Sequence, residues 1–376
     1  MPERDAAPGR RDDRSPRRRS GPRAASSTGQ ASSESSSAPA STSGAPIYGA
    51  LDLGTNNCRL LMARPNRDGF RVVDSFSRIV RLGEGLSRTG RLDSAAMDRT
   101  YDALAHCAER IRRKGVDPSR LSAVATQACR AAENGAEFVA RVRDGTGLDL
   151  RIIGAEEEAR LSVQGCLNLF DPRARAVLVI DVGGGSTELS WLRRDGRDMR
   201  TLAWMSAPVG VVSLAERHPE AEAADADAWF EAMVADMTSA LKAGGAFRED
   251  LDALRRSGPS HLVGTSGAIT SLAGIHLNLE RYQRDRVDGL WMTRTECDAA
   301  TRRLRDLGAE GRAAEACIGP NRADLVLAGA AILEAVQRAW PCERVRVADR
   351  GLREGLLLER MRADRGPRRR RRRPGS

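Results

Sequence analysis

Lysine is nearly absent from this 376-residue chain: Lys114 and Lys242 are the only two among 61 basic residues. Neither follows a glycine-rich loop, which excludes a P-loop nucleotide site with its phosphate-binding lysine. Long apolar stretches are missing too. The longest run, Leu325 to Leu333, falls well short of the roughly 18 residues that a membrane span needs, so the sequence predicts a soluble protein. No apolar segment follows the N-terminal basic residues, which argues against a secretory signal. The seven cysteines (58, 107, 129, 166, 297, 317 and 342) are widely scattered, without C-x-x-C or a histidine at metal-ligand spacing. That usage predicts a reducing cytoplasm and no structural zinc. The four histidines (106, 218, 261 and 276) lie in unrelated contexts, and neither a Ser-His-Asp arrangement nor a G-x-S-x-G elbow is present.

The formal net charge of +10 invites a nucleic-acid reading until the charge is located. Residues 1–46 hold eight Arg against five acids, and residues 362–376 hold eight Arg against Asp364, so the 315 residues between them are neutral overall. A neutral body with basic ends argues against a duplex-binding surface, and no specific nucleic-acid partner is expected. Residues 1–46 contain no Leu, Ile, Val or aromatic side chain, which predicts disorder. The run Arg368 to Arg373 reads as a solvated tail or as an arm that captures polyanions.

The body is long enough for two domains sharing a cleft. It opens with a strand, Ile47 to Leu53, a polar turn, Gly54 to Asn57, and a returning strand, Arg59 to Ala63; a third strand is expected near Phe70 to Val80. Asp93 then starts a long helix, with Met97, Tyr101, Leu104, Ala108 and Ile111 at three-to-four spacing and Gly115 as its stop. Alternating strands and helices follow through about Leu167, an α/β arrangement. The pattern then restarts: Val177 to Ile180, the turn Gly183 to Ser186, and the strand Thr187 to Leu192. Both openings place a carboxylate at the end of a buried strand and a tight turn of small residues after it. This predicts a duplicated half-domain and two lobes facing each other, the first spanning 47–168 and the second 169–362, with a tail over 363–376.

Asp181-Val-Gly-Gly-Gly-Ser-Thr-Glu188 is the strongest local signal. Three glycines in succession permit positive φ and close backbone approach, and such a turn aims N–H groups at one point, where phosphate binds. Asp181 and Glu188 at its edges suit Mg²⁺, a hard cation that takes carboxylate and phosphate oxygens. Cationic contacts to phosphate must then come from arginine, with Arg78, Arg81 and Arg130 as candidates beside their simpler reading as surface charges. Glu156, Glu157 and Glu158 open a helix; they complement its dipole, or one of them faces the cleft as a general base on water.

Taken together, these motifs resemble the Ppx/GppA phosphatase family, exopolyphosphatases and guanosine pentaphosphate phosphohydrolases with the actin, hexokinase and Hsp70 fold. The resemblance is carried in order by Leu51-Asp-Leu-Gly-Thr-Asn-Asn57, Arg78-Ile-Val-Arg-Leu-Gly-Glu-Gly85, Ala125-Thr-Gln-Ala-Cys-Arg-Ala-Ala-Glu-Asn134, Glu157-Glu-Ala-Arg160, Val179 to Leu189, Gly264-Thr-Ser-Gly267 and Leu352-Arg-Glu-Gly355. It implies a two-lobed, ribonuclease H-like α/β fold with duplicated half-domains. It implies that Glu158 activates water, that Asp181, Glu188 and Asp52 are the metal carboxylates, and that Thr55, Asn56, Gly183, Gly184, Gly185, Ser186, Gly264 and Ser266 belong to phosphate-binding loops. Arg130, and more weakly Arg78, would contact phosphates. The implied activity is hydrolysis of a terminal phosphoanhydride in inorganic polyphosphate or pppGpp, with Mg²⁺ or Mn²⁺, and a homodimer is compatible with it.

Departures from the family pattern are Thr55 for serine, Asn57 and Cys58 for a serine and an aromatic residue, Arg350 at a common glycine position, and no lysine in the loop Gly264 to Thr270. Long members carry a further C-terminal His-Asp-type domain, and this sequence reads as the short form. Two other readings stand beside the hydrolase. One is a sugar or acetate kinase of the same superfamily, and the other a non-catalytic sensor of (p)ppGpp or polyphosphate.

Overall fold

A computed structural model describes residues 44–67, 69–220 and 225–364. The expectations for most of the N-terminal stretch, 1–43, and for the arginine run lie outside the described residues. The first sheet is built from β1 Tyr48–Leu53, β2 Asn57–Asn66, β3 Gly69–Ile79, β4 Leu121–Ala125 and β5 Arg151–Ile152, in the order β3-β2-β1-β4-β5. The second contains β6 Ala176–Val182, β7 Thr187–Asp195, β8 Asp198–Ala207, β9 Ser260–Thr265, β10 Trp291–Thr293 and β11 Arg344–Ala348, in the order β10-β11-β9-β6-β7-β8.

In both sheets an antiparallel meander of three strands is extended by parallel strands beside its first member. The orders superimpose strand for strand, with β10 as an added edge, so the duplication expected from the two openings is present. This is the two-lobed, actin-like α/β fold.

The helices of the first half are α1 Leu86–Thr89, α2 Ser94–Lys114, α3 Gln127–Ala131, α4 Gly135–Thr146 and α5 Ala155–Cys166. Those of the second are α6 Val211–Arg217, α7 Ala226–Ala243, α8 Glu249–Arg256, α9 Gly267–His276, α10 Arg284–Val287, α11 Arg294–Asp306, α12 Gly308–Ala314, α13 Val326–Ala339 and α14 Leu352–Asp364. α2 begins and ends where its sequence says: the Asp93 carboxylate accepts from the Ala96 N–H at 3.0 Å, and Gly115 turns left-handed at φ 64. Its Leu104, Cys107, Ala108 and Ile111 pack with Leu51, Leu53 and Leu60 of the first sheet. α13 is apolar nearly all round because it lies among α6, α7, α9 and α11. No described helix is long and apolar enough to cross a membrane.

The packing departs from a division by residue number at one place. α14 falls in the stretch expected to form the second lobe, yet its Leu352, Leu356, Leu357 and Met361 pack on Tyr48, Ala50, Leu61 and Val124 of the first sheet. Those strand residues are apolar on the face away from α2 and need a cover, which α14 and α5 supply together. The two helices cross at glycines. A Cβ on Gly165 would stand 2.0 Å from the Gly351 carbonyl oxygen, and one on Gly355 would stand 2.1 Å from that of Leu161. The C-terminal half of α5 then reaches the second sheet, where Val163 and Cys166 pack with Val177, Val179 and Val263. α5 thus spans both lobes beneath the cleft.

Candidate active site

The cleft opens where β1, β4, β6, β9 and β11 all end. A four-residue turn follows each hairpin's first strand and closes with the same bond: Gly54 N–H to Asn57 carbonyl, and Gly183 N–H to Ser186 carbonyl, each 2.9 Å. Two further carbonyls of each turn are engaged by their own lobe. Thr55 accepts from Gly83, Asn56 from Val80 and Arg81, Gly183 from Val211, and Gly184 from Val212. That leaves the N–H groups of Thr55 and Asn56, and those of Gly184, Gly185 and Ser186, without a partner among the described residues. Such an array of free amides is a concave anion site.

Glycine is needed here for contact rather than for φ, contrary to one part of the sequence reading. None of Gly183, Gly184 and Gly185 has positive φ. The two turns press on each other, and a Cβ on Gly184 would lie 2.8 Å from Cβ of Thr55, one on Gly185 3.2 Å from Oγ1 of Thr55. A Cβ on Gly210 would lie within 2.6 Å of backbone atoms of both Gly183 and Gly184.

Of the three acids that open α5, Glu156 is exposed and Glu157 is held outward by Arg151 through bonds of 2.6 and 2.7 Å. Glu158 is buried and lines the cleft. Its Oε2 lies 3.1 Å from Arg130, whose guanidinium also donates to the Ile153 carbonyl and to Gln127 Oε1, both at 2.6 Å. Asp52 and Asp181 stand at matching positions at the ends of β1 and β6 and line the cleft, with Asp181 accepting from the Ser162 hydroxyl. Glu188 lies deeper, its Oε1 accepting from Ser186 and Ser206 at 2.8 Å each.

Burial raises the pKa of all four carboxyls, that of Asp52 to about 6 and that of Glu188 to about 7. The negative charge of Glu188 raises Glu158 further, and that of Asp181 raises Glu188, while Arg130 opposes the rise at Glu158. Among the described residues no three or more His, Cys, Asp or Glu side chains form a metal cage of their own.

Thr55, Asn56, Gly183, Gly184, Gly185, Ser186 and Ser266 all line the cleft. Ser266 does so at φ 122, with its hydroxyl buried and unpartnered, and Oδ1 of Asn56 is likewise buried without a partner. Five expected residues are not part of the lining: Arg130 stands behind Glu158, Glu188 is buried beneath the second turn, Arg81 pairs with Asp324 at 3.0 Å, and Arg78 and Gly264 are turned to other uses. Arg78 keeps its guanidinium over the Phe76 ring, 5.4 Å from the centroid, and is not part of the lining. Gly264 lies inside β9, paired with Ile180 and Val347, so its backbone serves the sheet.

Arg59, Arg322 and Arg353, which the sequence reading did not single out, complete the lining together with Arg350. Arg350 is held through Nε by Asp288 at 2.9 and 3.1 Å. No carboxylate among the described residues comes within ion-pair distance of Arg59, Arg322 or Arg353. Arg59 was within reach of sequence reasoning, because a four-residue turn after Leu53 puts it directly opposite Asp52. Arg322 carries no such signal.

A profile of the Ppx/GppA phosphatase family matches residues 61–364. The chain belongs to that family. As a Ppx/GppA phosphatase it is a phosphoanhydride hydrolase, which fits a cleft of free amides and arginines beside buried carboxylates. Among solved structures it is similar to a Ppx/GppA family member of Aquifex aeolicus, at 26% identity and a TM-score of 0.68, covering 86% of this chain and 99% of that one. An exopolyphosphatase-like protein matches at 27% identity and a TM-score of 0.72, over 84% of this chain and 97% of the other. An exopolyphosphatase from Cytophaga hutchinsonii shares the fold at 22% identity and a TM-score of 0.71, over 83% and 98%.

Proposed function

We propose that this Ppx/GppA phosphatase is an exopolyphosphatase that releases orthophosphate from the end of inorganic polyphosphate. The observation that carries the reading is the placement of Glu158, buried against Arg130 at the foot of a cleft whose floor is two amide-lined turns and whose walls are arginines. The free amides of Thr55, Asn56, Gly184, Gly185 and Ser186 would hold the oxygens of the terminal phosphate. Arg59, Arg322, Arg350 and Arg353 would take the following phosphates, matching a ligand that repeats its charge. Glu158 would accept the proton of the attacking water at its carboxylate, and Arg130 favours the ionised form of that carboxylate against the opposing effect of burial.

The donor set fits a divalent cation. Carboxyls whose charges raise the pKa of Glu158, Glu188 and Asp52 are short of positive charge, and the lack of a protein-only cage among the described residues suits Mg²⁺, which binds through one or two carboxylates plus waters and phosphate oxygens. Asp181, with Glu188 through its free Oε2 or Asp52 across the cleft, would hold Mg²⁺ or Mn²⁺, and the ion would neutralise charge gathering on the phosphate oxygens. The apolar lining of Val211, Leu325 and Val326 favours a second reading, hydrolysis of pppGpp, in which it would receive the nucleoside.

The test is phosphate release from long polyphosphate, tripolyphosphate and pppGpp, with Mg²⁺ and with EDTA, by wild type and Glu158→Gln. Cation-dependent turnover absent from the folded variant is the expected result. Full activity in the variant would remove Glu158 from the mechanism, faster turnover of pppGpp would install the second reading, and binding without turnover by wild type would make the protein a sensor.

A further inference from the structure

The edge of the second sheet carries a basic and aromatic cluster that the cleft chemistry leaves unused. β10 pairs antiparallel with β11, setting Trp291 opposite Arg346 and Thr293 opposite Arg344. The guanidinium carbon of Arg344 lies 4.4 Å from the Trp291 ring centroid and that of Arg346 lies 4.8 Å from it, while His261 meets the same ring edge-on at 5.0 Å. Two like charges therefore share one indole.

The acids nearby neutralise them only in part. Asp171 lies 3.6 Å from Arg344 but also accepts from the backbone and side chain of Arg173. Asp288 is occupied by Arg350 and the Asp349 N–H, the Asp349 carboxylate pairs with Arg284 at 3.2 Å, and Glu343, just before β11, is exposed. Among the described residues Arg346 has no carboxylate within ion-pair distance, and its Nε is buried without a hydrogen-bond partner. Burial lowers its pKa, with Arg344 adding to the strain.

The cluster is continuous with the cleft. Asp288 fixes Arg350 in the cleft wall, and the next residue, Gly289, at φ 89, lies against Arg346: a Cβ there would be 3.3 Å from Nη2. Arg350, Arg346 and Arg344 thus form a row of cations running from the cleft along β11. Arg344 and Arg346 are two residues apart on one face, roughly 7 Å along the strand, a spacing that suits a ligand with repeated charges better than a single small anion.

We propose that Arg344, Arg346 and Trp291 form a non-catalytic site for the distal part of a long polyphosphate chain whose end lies in the cleft. The inference rests on the exopolyphosphatase reading and deepens it, since it makes the protein a long-chain enzyme. A nucleic acid is the less suited occupant, because two guanidinium groups and a histidine already engage the indole on which a base would stack.

The test is direct binding of long-chain polyphosphate, tripolyphosphate and a single-stranded oligonucleotide to the full chain in EDTA, comparing wild type with Arg344→Gln/Arg346→Gln. Both proteins keep the arginine run at 368–373, so its contribution cancels. At about 0.7 counterion released per phosphate contact, two contacts make the wild type lose about sevenfold more affinity for long chains than the variant does between about 50 and about 200 mM salt. Tripolyphosphate, too short to reach the edge, should bind both alike, and Arg344→Lys/Arg346→Lys should restore the salt dependence. Identical salt dependence in wild type and Gln variant, an equal loss for tripolyphosphate, or a loss confined to the oligonucleotide would each overturn the proposal. Turnover with Mg²⁺ is read separately on the same proteins: no hydrolysis of any phosphoanhydride would end the exopolyphosphatase reading, while the binding comparison keeps its own answer.

Discussion

Replacing Arg130 by glutamine tests whether that side chain sets the charge of Glu158. The pair is separated by 3.1 Å, and its side chains are 23% and 11% exposed, so solvent screens it only in part. Opposite charges at about 4 Å attract by about 4 kcal/mol at an effective dielectric constant of about 20. Divided by about 1.4 kcal/mol per tenfold, that is close to three decades of ionisation. Water in the open cleft reduces this by roughly half. Removing the cation also leaves Glu188, Asp181 and Asp52 unopposed, all of which already push the Glu158 carboxyl upward. The sign follows: without Arg130 the carboxyl holds its proton to higher pH, so the ionised base appears later on the alkaline side. The acid limb of the kcat profile should therefore move up by about one to two pH units in Arg130→Gln and return most of the way in Arg130→Lys. The assay is phosphate release under saturating substrate across pH 5 to 9. A lower kcat with an unmoved acid limb would refute the reasoning and make Arg130 a substrate contact instead.

Gly355→Ala should destabilise the protein near the upper end of the about 1–3 kcal/mol typical of overpacking, because the new methyl meets the Leu161 backbone rather than a flexible side chain; urea unfolding followed by circular dichroism checks it, and an unchanged midpoint would mean that the α5–α14 crossing can spread freely. Stability without divalent cations should fall as pH rises. Folded Glu188 titrates at about 7 against an ordinary 4.5, so its proton-linked stability is complete below about 4.5 and is lost through about 7, on the order of 3 kcal/mol. Mg²⁺ should flatten that decline in melting curves, and a flat profile in EDTA would show that the acid cluster is not under charge stress.

Much of this architecture could be read before any coordinates, because its signals are local. Two buried strands each ending in an aspartate, each followed by four small or polar residues, announce two hairpins, and Asp93 and Gly115 bracket α2 by capping chemistry alone. Features that depend on distant packing were not legible. The apolar stripe of α14 says that it is covered, not by which lobe. Arg78 sits in a recognisable motif, but only the Phe76 ring decides where its guanidinium rests. Arg322 reaches the cleft because α13 begins there, in a chain where arginine is too common for any one to stand out. β10 has three residues, too few to display a period. The three acids of α5 looked alike in sequence, and Arg151 and burial separate their fates.

The two hairpins match in backbone and differ in charge: Asp52 faces Arg59 across the first, and Asp181 faces Glu188 across the second. Duplication alone would have given the cleft a mirror-like balance, but this one substitution gives it a polarity. A phosphate chain reads the same from either end, so it brings no direction of its own. A groove with acids on one hairpin and a cation at the equivalent place on the other supplies the missing arrow. On the exopolyphosphatase reading, Arg59 would take the phosphates that follow the terminal one, so that cutting would begin from the terminus instead of anywhere along the length.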